Sequence, residues 1–203
     1  MKILISSNYK KHFNTNIDFI DHYWINYFNK KNYEFELIPN SLKIAKKKIR
    51  QNKNCDLIII PGGNDLFKND YLSITRLKVE KELINYSLKN KIPLLGVCRG
   101  MQLLNFYFGG KIEKISGHMK KNTKIFFIDN FFKEKVIKVK CYHNFGIKKK
   151  SKSKKFITIA EDKDGNLEMF KHINEKILGV MWHPERESNF KKLDYIFKNF
   201  YKK

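Results

Sequence analysis

The segment Pro93-Leu-Leu-Gly-Val-Cys-Arg-Gly-Met-Gln-Leu-Leu-Asn105 constrains this chain more than any other. An unbroken apolar run leads into G-x-C-x-G, and an amphipathic pattern follows at once. Such a run, with no polar alternation, suits a strand covered on both faces, as in a parallel sheet clothed by helices. Gly96 and Gly100 permit a sharp strand-to-helix turn with close backbone approach, which stands Cys98 at a helix N-terminus in the manner of a nucleophile elbow. A thiol with a pKa of about 8.5 is only a few per cent thiolate at neutral pH, and a helix N-terminus beside an imidazole helps to ionise it. Taken alone, the motif also suits a small buried core cysteine.

The rest of the first half fits that reading. Residues 2–6, 35–39, 56–60 and 93–97 read as strands, with helices expected at 16–29, 42–51 and 71–90 and another directly after Cys98. This alternation predicts an α/β, flavodoxin-like doubly wound fold, with a mostly parallel central sheet and helices on both faces. The second half changes character. Short strands are expected at 124–128, 136–140, 156–160, 167–170 and 177–182, with a turn at Asp164-Gly165. The Lys/Ser run at 148–155 reads as a mobile, solvated loop. With 203 residues, 42% of them apolar, and neither an internal repeat nor a linker, one domain over 1–203 is expected.

Composition narrows the function classes. The net charge of +22 raises the question of nucleic acid, but only Arg50, Arg76, Arg99 and Arg186 are arginines. Bidentate recognition of phosphates and bases favours arginine, whereas a coding bias toward A and T explains the lysine, Asn, Ile, Phe and Tyr content together. A solvated lysine surface follows, able to steer a small anionic substrate, with no nucleic-acid partner expected. The start Met-Lys-Ile-Leu-Ile-Ser-Ser lacks the apolar core of a signal peptide, and no stretch of 18 apolar residues follows. A cytoplasmic protein without a membrane partner is expected. Cys55, Cys98 and Cys141 are widely spaced, with no C-x-x-C pair, so neither a disulfide framework nor a metal is indicated.

Far downstream, the run Ile177-Leu-Gly-Val-Met-Trp182 ends in His183-Pro184-Glu185. His183 can accept the Cys98 proton, and Glu185 can hold the other ring nitrogen as the third member of a triad does. Pro184 fixes the chain between them. A third block, Ile58-Ile-Ile-Pro-Gly-Gly-Asn-Asp65, puts a Pro-Gly-Gly turn after a buried strand. Gly62 and Gly63 there permit an amide aimed into the site, and the amides of Gly63 and Arg99 form the natural pair of oxyanion donors for acyl transfer. Each block has a bland alternative, a structural histidine or a plain tight turn, and their joint occurrence is what favours catalysis.

With P-G-G, then G-x-C-R-G-M-Q, then W-H-P-E, the chain resembles the class I glutamine amidotransferase superfamily from about Ile58 to Glu185. Cys98-Arg-Gly-Met-Gln-Leu-Leu-Asn105, Gly109-Gly110 and Asp164-Gly165-Asn-Leu-Glu168 resemble the stand-alone γ-glutamyl hydrolases within it. In size, lysine content and motif set the chain is similar to γ-glutamyl-CDP-amidate hydrolases of bacterial capsule phosphoramidate synthesis. It departs from the γ-glutamyl-γ-aminobutyrate hydrolases in being shorter and in carrying Asn rather than His at 144. The resemblance implies a γ-glutamyl thioester on Cys98, general acid–base work by His183 and no cofactor. It also implies that Gln102, His143 and the backbone at Asn144 and Phe145 hold the glutamyl group, and that Cys141 is not catalytic. The implied partner is a small γ-glutamyl substrate, with nucleotide-linked forms included; a homodimer or a separate synthetase partner stays open. Lys68, Tyr71, His118, Lys120 and His172 are surface candidates for reading the rest of a substrate.

Overall fold

The computed structural model describes residues 1–201. Its first half runs β1 (Lys2–Ser6), β2 (Asn8–His12), β3 (Thr15–Phe19), α1 (His22–Lys31), β4 (Glu34–Ile38), α2 (Leu42–Gln51), β5 (Leu57–Ile60), α3 (Tyr71–Asn90), β6 (Leu94–Val97) and α4 (Arg99–Tyr107). Strands dominate the second half: β7 (Glu113–Lys114), β8 (Met119–Phe127), β9 (Val136–Tyr142), β10 (Phe145–Gly146), β11 (Phe156–Asp162), β12 (Leu167–His172) and β13 (Ile177–Val180). Helix α5 (Lys191–Ile196) follows and continues as a π-helical stretch at Phe197–Tyr201.

Nine strands form one sheet in the order β4-β1-β5-β6-β13-β12-β11-β8-β9. From β4 to β13 every neighbour is parallel, and from β13 to β9 every neighbour is antiparallel. The expected parallel sheet is therefore the first half of a larger mixed one. The cause is connection length: parallel neighbours need crossover helices, which the first half supplies, while the short turns of the second half can only join antiparallel strands.

The lack of alternation in the central strands follows from double coverage. Ile3, Ile5, Leu57, Ile59, Leu95 and Val97 pack on one face with Trp24, Tyr27 and Phe28 of α1 and Leu193 and Ile196 of α5. Leu4, Ile58, Ile60 and Leu94 pack on the other with Ala45 and Ile49 of α2, Val79, Leu83 and Ile84 of α3, and Met101, Leu103 and Leu104 of α4. Each such apolar side chain contributes about 1.5–3 kcal/mol on burial.

Two expectations are corrected. Residues 16–29 are not one helix: Thr15–Phe19 pairs antiparallel with Asn8–His12 as a hairpin. Helix α1 begins only after Asp21, whose carboxylate accepts from the Tyr23 amide at 3.2 Å and so sets the N-cap. The Lys/Ser run at 148–155 is not a solvated loop throughout. Ser151 and Ser153 are buried. Asn105 of α4 donates to the Ser151 carbonyl at 3.1 Å and accepts from the Ser153 amide at 2.8 Å, which fastens the segment to the helix end.

For function, the consequence is the adjacency of β5, β6 and β13. Their carboxyl ends lie side by side at the centre of the sheet, with Ile60 opposite Gly96 and Val180 opposite Val97. Pro61-Gly62-Gly63, Cys98 and Trp182-His183 issue from those three ends, where α/β folds collect ligand sites.

The approach of α4 to β5 depends on Gly100, where a Cβ would collide with the Ile60 carbonyl oxygen. Replacing Gly100 by Ala is expected to cost about 3 kcal/mol or more in denaturant unfolding. Gly165 has φ +73° with open space around it. Gly165→Ala is expected to cost only about 1–2 kcal/mol, the left-handed backbone penalty alone.

Candidate active site

Cys98 sits between β6 and α4 with φ 50° and ψ −105°. A non-glycine residue there costs on the order of 1–3 kcal/mol and persists only where its surroundings over-determine it. They do so here. The Cys98 amide donates to the Val180 carbonyl at 2.7 Å, and its carbonyl accepts from the Gln102 amide at 3.1 Å. Gly96 and Gly100 press against each other and against Leu104 and Ile60, leaving no room for a side chain at either position. The side chain of Cys98 is buried at the head of α4.

His183 follows β13 and caps a short 3-10 turn, Pro184–Arg186, with Pro184 at its first position. Its Nδ1 lies 2.6 Å from Glu185 Oε1. A carboxylate accepts, so Nδ1 carries the proton in that bond and Nε2 is left for the sulfur. The imidazole lies beside Cys98, since a single Cβ placed on Gly62 would meet both residues. Burial opposes its positive charge, but the Glu185 carboxylate and the Cys98 sulfur outweigh burial and raise the His183 pKa from 6.5 to about 10. A Cβ on Gly62 would come within 2.5 Å of His183 Cε1 and 3.2 Å of Cys98 Cβ. Glycine at 62 thus keeps open the space beside the sulfur and the ring. Tyr142 closes another side, its ring edge-on to His183 at 5.8 Å and stacked under the Arg186 guanidinium at 5.0 Å.

Beneath this lies a network that the sequence reading missed. Arg76 and Glu80 are fully buried on α3, and Arg99 is buried on α4. Arg76 Nε donates to Glu80 Oε1 at 2.8 Å, and Arg99 pairs with Glu80 Oε2. The other end of the Arg76 guanidinium donates to the carbonyls of Pro61 and Gly62, at 3.2 and 3.3 Å, and to Asn64 Oδ1 at 3.0 Å. One carboxylate therefore ties the elbow to the Pro-Gly-Gly turn. Burial disfavours its charge, yet the two guanidinium groups hold Glu80 below the usual carboxylate range. Gly63 has φ +116° and lies against the Asn8 side chain, so a side chain there is excluded by both strain and space.

The remaining predicted residues divide. Gln102 Nε2 donates to the Phe145 carbonyl at 2.8 Å, and His143 Nδ1 shares that carbonyl at 3.0 Å. Asn144 is exposed, and its carbonyl accepts from Ile115. Burial pushes the Cys141 thiol up to about 12, which keeps it protonated. Among the surface candidates, His118 is in fact buried and bound to Asp162 at 2.8 Å. His172 is buried too, accepting two turn amides at its Nδ1. Tyr71 is exposed and Lys68 pairs with Asp70 at 3.0 Å.

Glu80→Gln removes the only carboxylate between two buried guanidinium groups among the described residues, and is expected to cost about 3–5 kcal/mol of stability in denaturant titration. The raised His183 pKa makes a separate prediction. The folded protein holds that proton up to about pH 10, the unfolded chain only to 6.5, so the stabilisation is complete below 6.5 and is lost as pH rises toward 10. Stability measured between pH 7 and 9 is expected to fall with pH, and His183→Asn to flatten that slope.

The class-I glutamine amidotransferase family matches the chain over residues 15–203. The γ-glutamyl-CDP-amidate hydrolase of Campylobacter jejuni is 38% identical over 141 residues, covering 68% of this chain and 66% of that protein. The aligned part is thus just under two thirds of that relative's length. A glutamine-hydrolyzing GMP synthase subunit of Methanococcus aeolicus is 28% identical over 169 residues, 82% of each chain. In fold, a glutamine amidotransferase from Thermotoga maritima superposes with a TM-score of 0.68 over 97% of this chain and 82% of its own, at 17% identity. Among the described residues no helix is long and apolar enough to cross a membrane. On the family match over nearly its whole length, the chain belongs to the class-I glutamine amidotransferases.

Proposed function

We propose that this protein, acting as one domain, hydrolyses a γ-glutamyl amide bond by cysteine-based acyl transfer. The observation that carries the reading is the strained Cys98 at a helix head, beside an imidazole that Glu185 orients from 2.6 Å. In the proposed reaction the Cys98 thiolate attacks the γ-carbonyl and forms a γ-glutamyl thioester. The oxyanion forms against the amides of Gly63 and Arg99, whose spacing the Arg76–Glu80–Arg99 network supports. His183, protonated at the start, gives its proton to the leaving nitrogen and then takes one from water, which releases glutamate. Gln102, by holding the Phe145 carbonyl, sets the backbone that meets the glutamyl group.

The substrate favoured is a γ-glutamyl-CDP-amidate, cleaved to glutamate and cytidine diphosphoramidate in capsular polysaccharide synthesis. Likeness to the Campylobacter jejuni hydrolase supports it. So does a charge of +22, which attracts an anionic leaving group over about a Debye length of 8 Å. A second reading, a glutaminase subunit passing ammonia to a separate synthetase, is supported by likeness to the Methanococcus aeolicus GMP synthase component.

The test is glutamate release by the purified protein from glutamine, γ-glutamyl-γ-aminobutyrate, a γ-glutamyl dipeptide and γ-glutamyl-CDP-amidate. Strong preference for the nucleotide compound is expected; release from none without a partner would favour the synthetase-linked glutaminase. Cys98→Ala is expected to abolish turnover, His183→Ala to lower kcat by about 100-fold or more, and Glu185→Gln to lower it less. Turnover by Cys98→Ala within a few-fold of wild type would remove the nucleophile assignment.

A further inference from the structure

Glu168, the last residue of the Asp164-Gly165-Asn-Leu-Glu168 motif, has no part in the chemistry above. It lies on β12 beside the candidate site: the amide of Met181, two residues before His183, donates to its carbonyl at 2.8 Å. Its side chain is fully buried, and neither carboxylate oxygen has a hydrogen-bond partner among the described residues. The nearest cation-capable group, His118, is already committed: its Nε2 faces Asp162 at 2.8 Å and its Nδ1 the Ser116 carbonyl at 3.0 Å, leaving Glu168 Oε1 at 3.7 Å.

A second orphan shares this corner. His143 Nδ1 faces the Phe145 carbonyl, which only accepts, so that nitrogen carries the proton. Burial and the neighbouring His118 lower the His143 pKa to about 4, so the ring is neutral at physiological pH and Nε2 is a bare lone pair. Nε2 is buried without a partner. A ring nitrogen of His143, a Glu168 oxygen and the Cys141 sulfur lie within 4.8 Å of one another. An ionised carboxylate and an imidazole lone pair buried with no donor between them are costly, which disfavours the charged form of Glu168 in the free protein. Burial, Asp162 and the Cys98 sulfur together push the Glu168 pKa well above the usual carboxylate range, which also places the corner within electrostatic reach of the nucleophile.

We propose that Glu168 and His143 Nε2 receive the α-ammonium group of the substrate, and so select an amino-acid acyl group. The proposal rests on the γ-glutamyl reading above. In a γ-glutamyl group two methylenes separate the scissile carbonyl from the α-carbon, so an ammonium lies within a side chain's reach of the sulfur attacking that carbonyl. An ammonium has three N–H donors and one positive charge, which is what a carboxylate and an imidazole lone pair in one dry corner lack. Glu168, driven toward the neutral form in the free protein, gives its proton to solvent as the ammonium enters, so the pair is formed by binding. An acyl group without the amine forms no such pair, which is the basis for selecting against it.

The experiment compares a γ-glutamyl amide with the same amide of glutaric acid, which lacks only the α-amino group, using wild type and Glu168→Gln, each with and without EDTA. Wild type is expected to prefer the γ-glutamyl amide by roughly 100-fold or more in kcat/KM. Glu168→Gln is expected to lower kcat/KM for the γ-glutamyl amide toward the level of the glutaric amide while leaving the latter within a few-fold. Equal use of both substrates by wild type overturns the proposal whether or not the variant folds. An equal loss on both substrates in Glu168→Gln overturns it in favour of a structural role, and loss of discrimination after EDTA overturns it in favour of a metal ion. Cleavage of neither by wild type removes the reading of a free-standing γ-glutamyl hydrolase on which the proposal rests.

Discussion

The close approach of α4 to β5 governs everything at the candidate site. Gly100 lets the helix lie directly on the Ile60 carbonyl, and Gly96 lets the strand before it meet the same turn of helix. With the helix that near, the chain passes from β6 into α4 through a positive-φ backbone at Cys98. Moving the helix outward would relax Cys98, and with it would shift the Arg99 amide away from the Pro-Gly-Gly turn. The strain is on the order of 1–3 kcal/mol. Two or three buried aliphatic side chains offset it, at about 1.5–3 kcal/mol each, and both faces of the sheet carry many more. The posture of Cys98 is thus supported by the core under it.

The buried Arg76–Glu80–Arg99 cluster has a different logic. Ion pairs in an interior recover little more than their desolvation cost, and well-packed apolar residues in their place are often neutral or stabilising. Stability alone does not account for two guanidinium groups and a carboxylate at the heart of an apolar layer. An apolar cluster could not reach the carbonyls of Pro61 and Gly62, whereas Arg76 binds both. Fixing two consecutive carbonyls fixes the peptide planes between them, and hence the direction of the amide that follows. The cluster makes sense as a means of orienting backbone on one side and Arg99 on the other.

The reach of the sequence can be judged from individual elements. Helices α2 and α3 fall where their pattern places them, α3 because Asp70 caps its start through the Ser73 amide at 2.8 Å and Lys91 closes its end in the left-handed conformation. The elbow, the His183–Glu185 pair and the Pro-Gly-Gly turn were legible because each compresses its geometry into a few adjacent residues. The β2–β3 hairpin was not: its strands carry mixed polar residues and face solvent, so neither period stands out. Arg76 and Glu80 were hidden because an Arg and a Glu four apart on a helix read as an exposed pair. Their signal was positional. Val79, Leu83 and Ile84 define the buried stripe of α3, and extended back by helical steps it passes through Glu80, Arg76 and Ser73. Likewise Glu168 sits in a strand with no polar alternation, flanked by Leu167 and Met169, where a carboxylate has no solvent to face.

These two carboxylates define opposite solutions to one problem. Glu80 is buried with two cations and stays ionised; Glu168 is buried with none among the described residues and is driven toward the neutral form. The first is satisfied within the fold and does structural work. The second has no hydrogen-bond partner among the described residues, and the proposed substrate ammonium is what would satisfy it. The lysine surface cannot substitute for this discrimination, since exposed charges beyond about 8 Å are screened at physiological salt. In the proposed reading, surface charge governs how readily an anionic molecule is gathered, while Glu168 and His143 govern which acyl group can lie against Cys98. On that proposed division the cationic exterior and the buried Glu168 are complementary, one acting on the leaving portion of a γ-glutamyl substrate and the other on its amino-acid end.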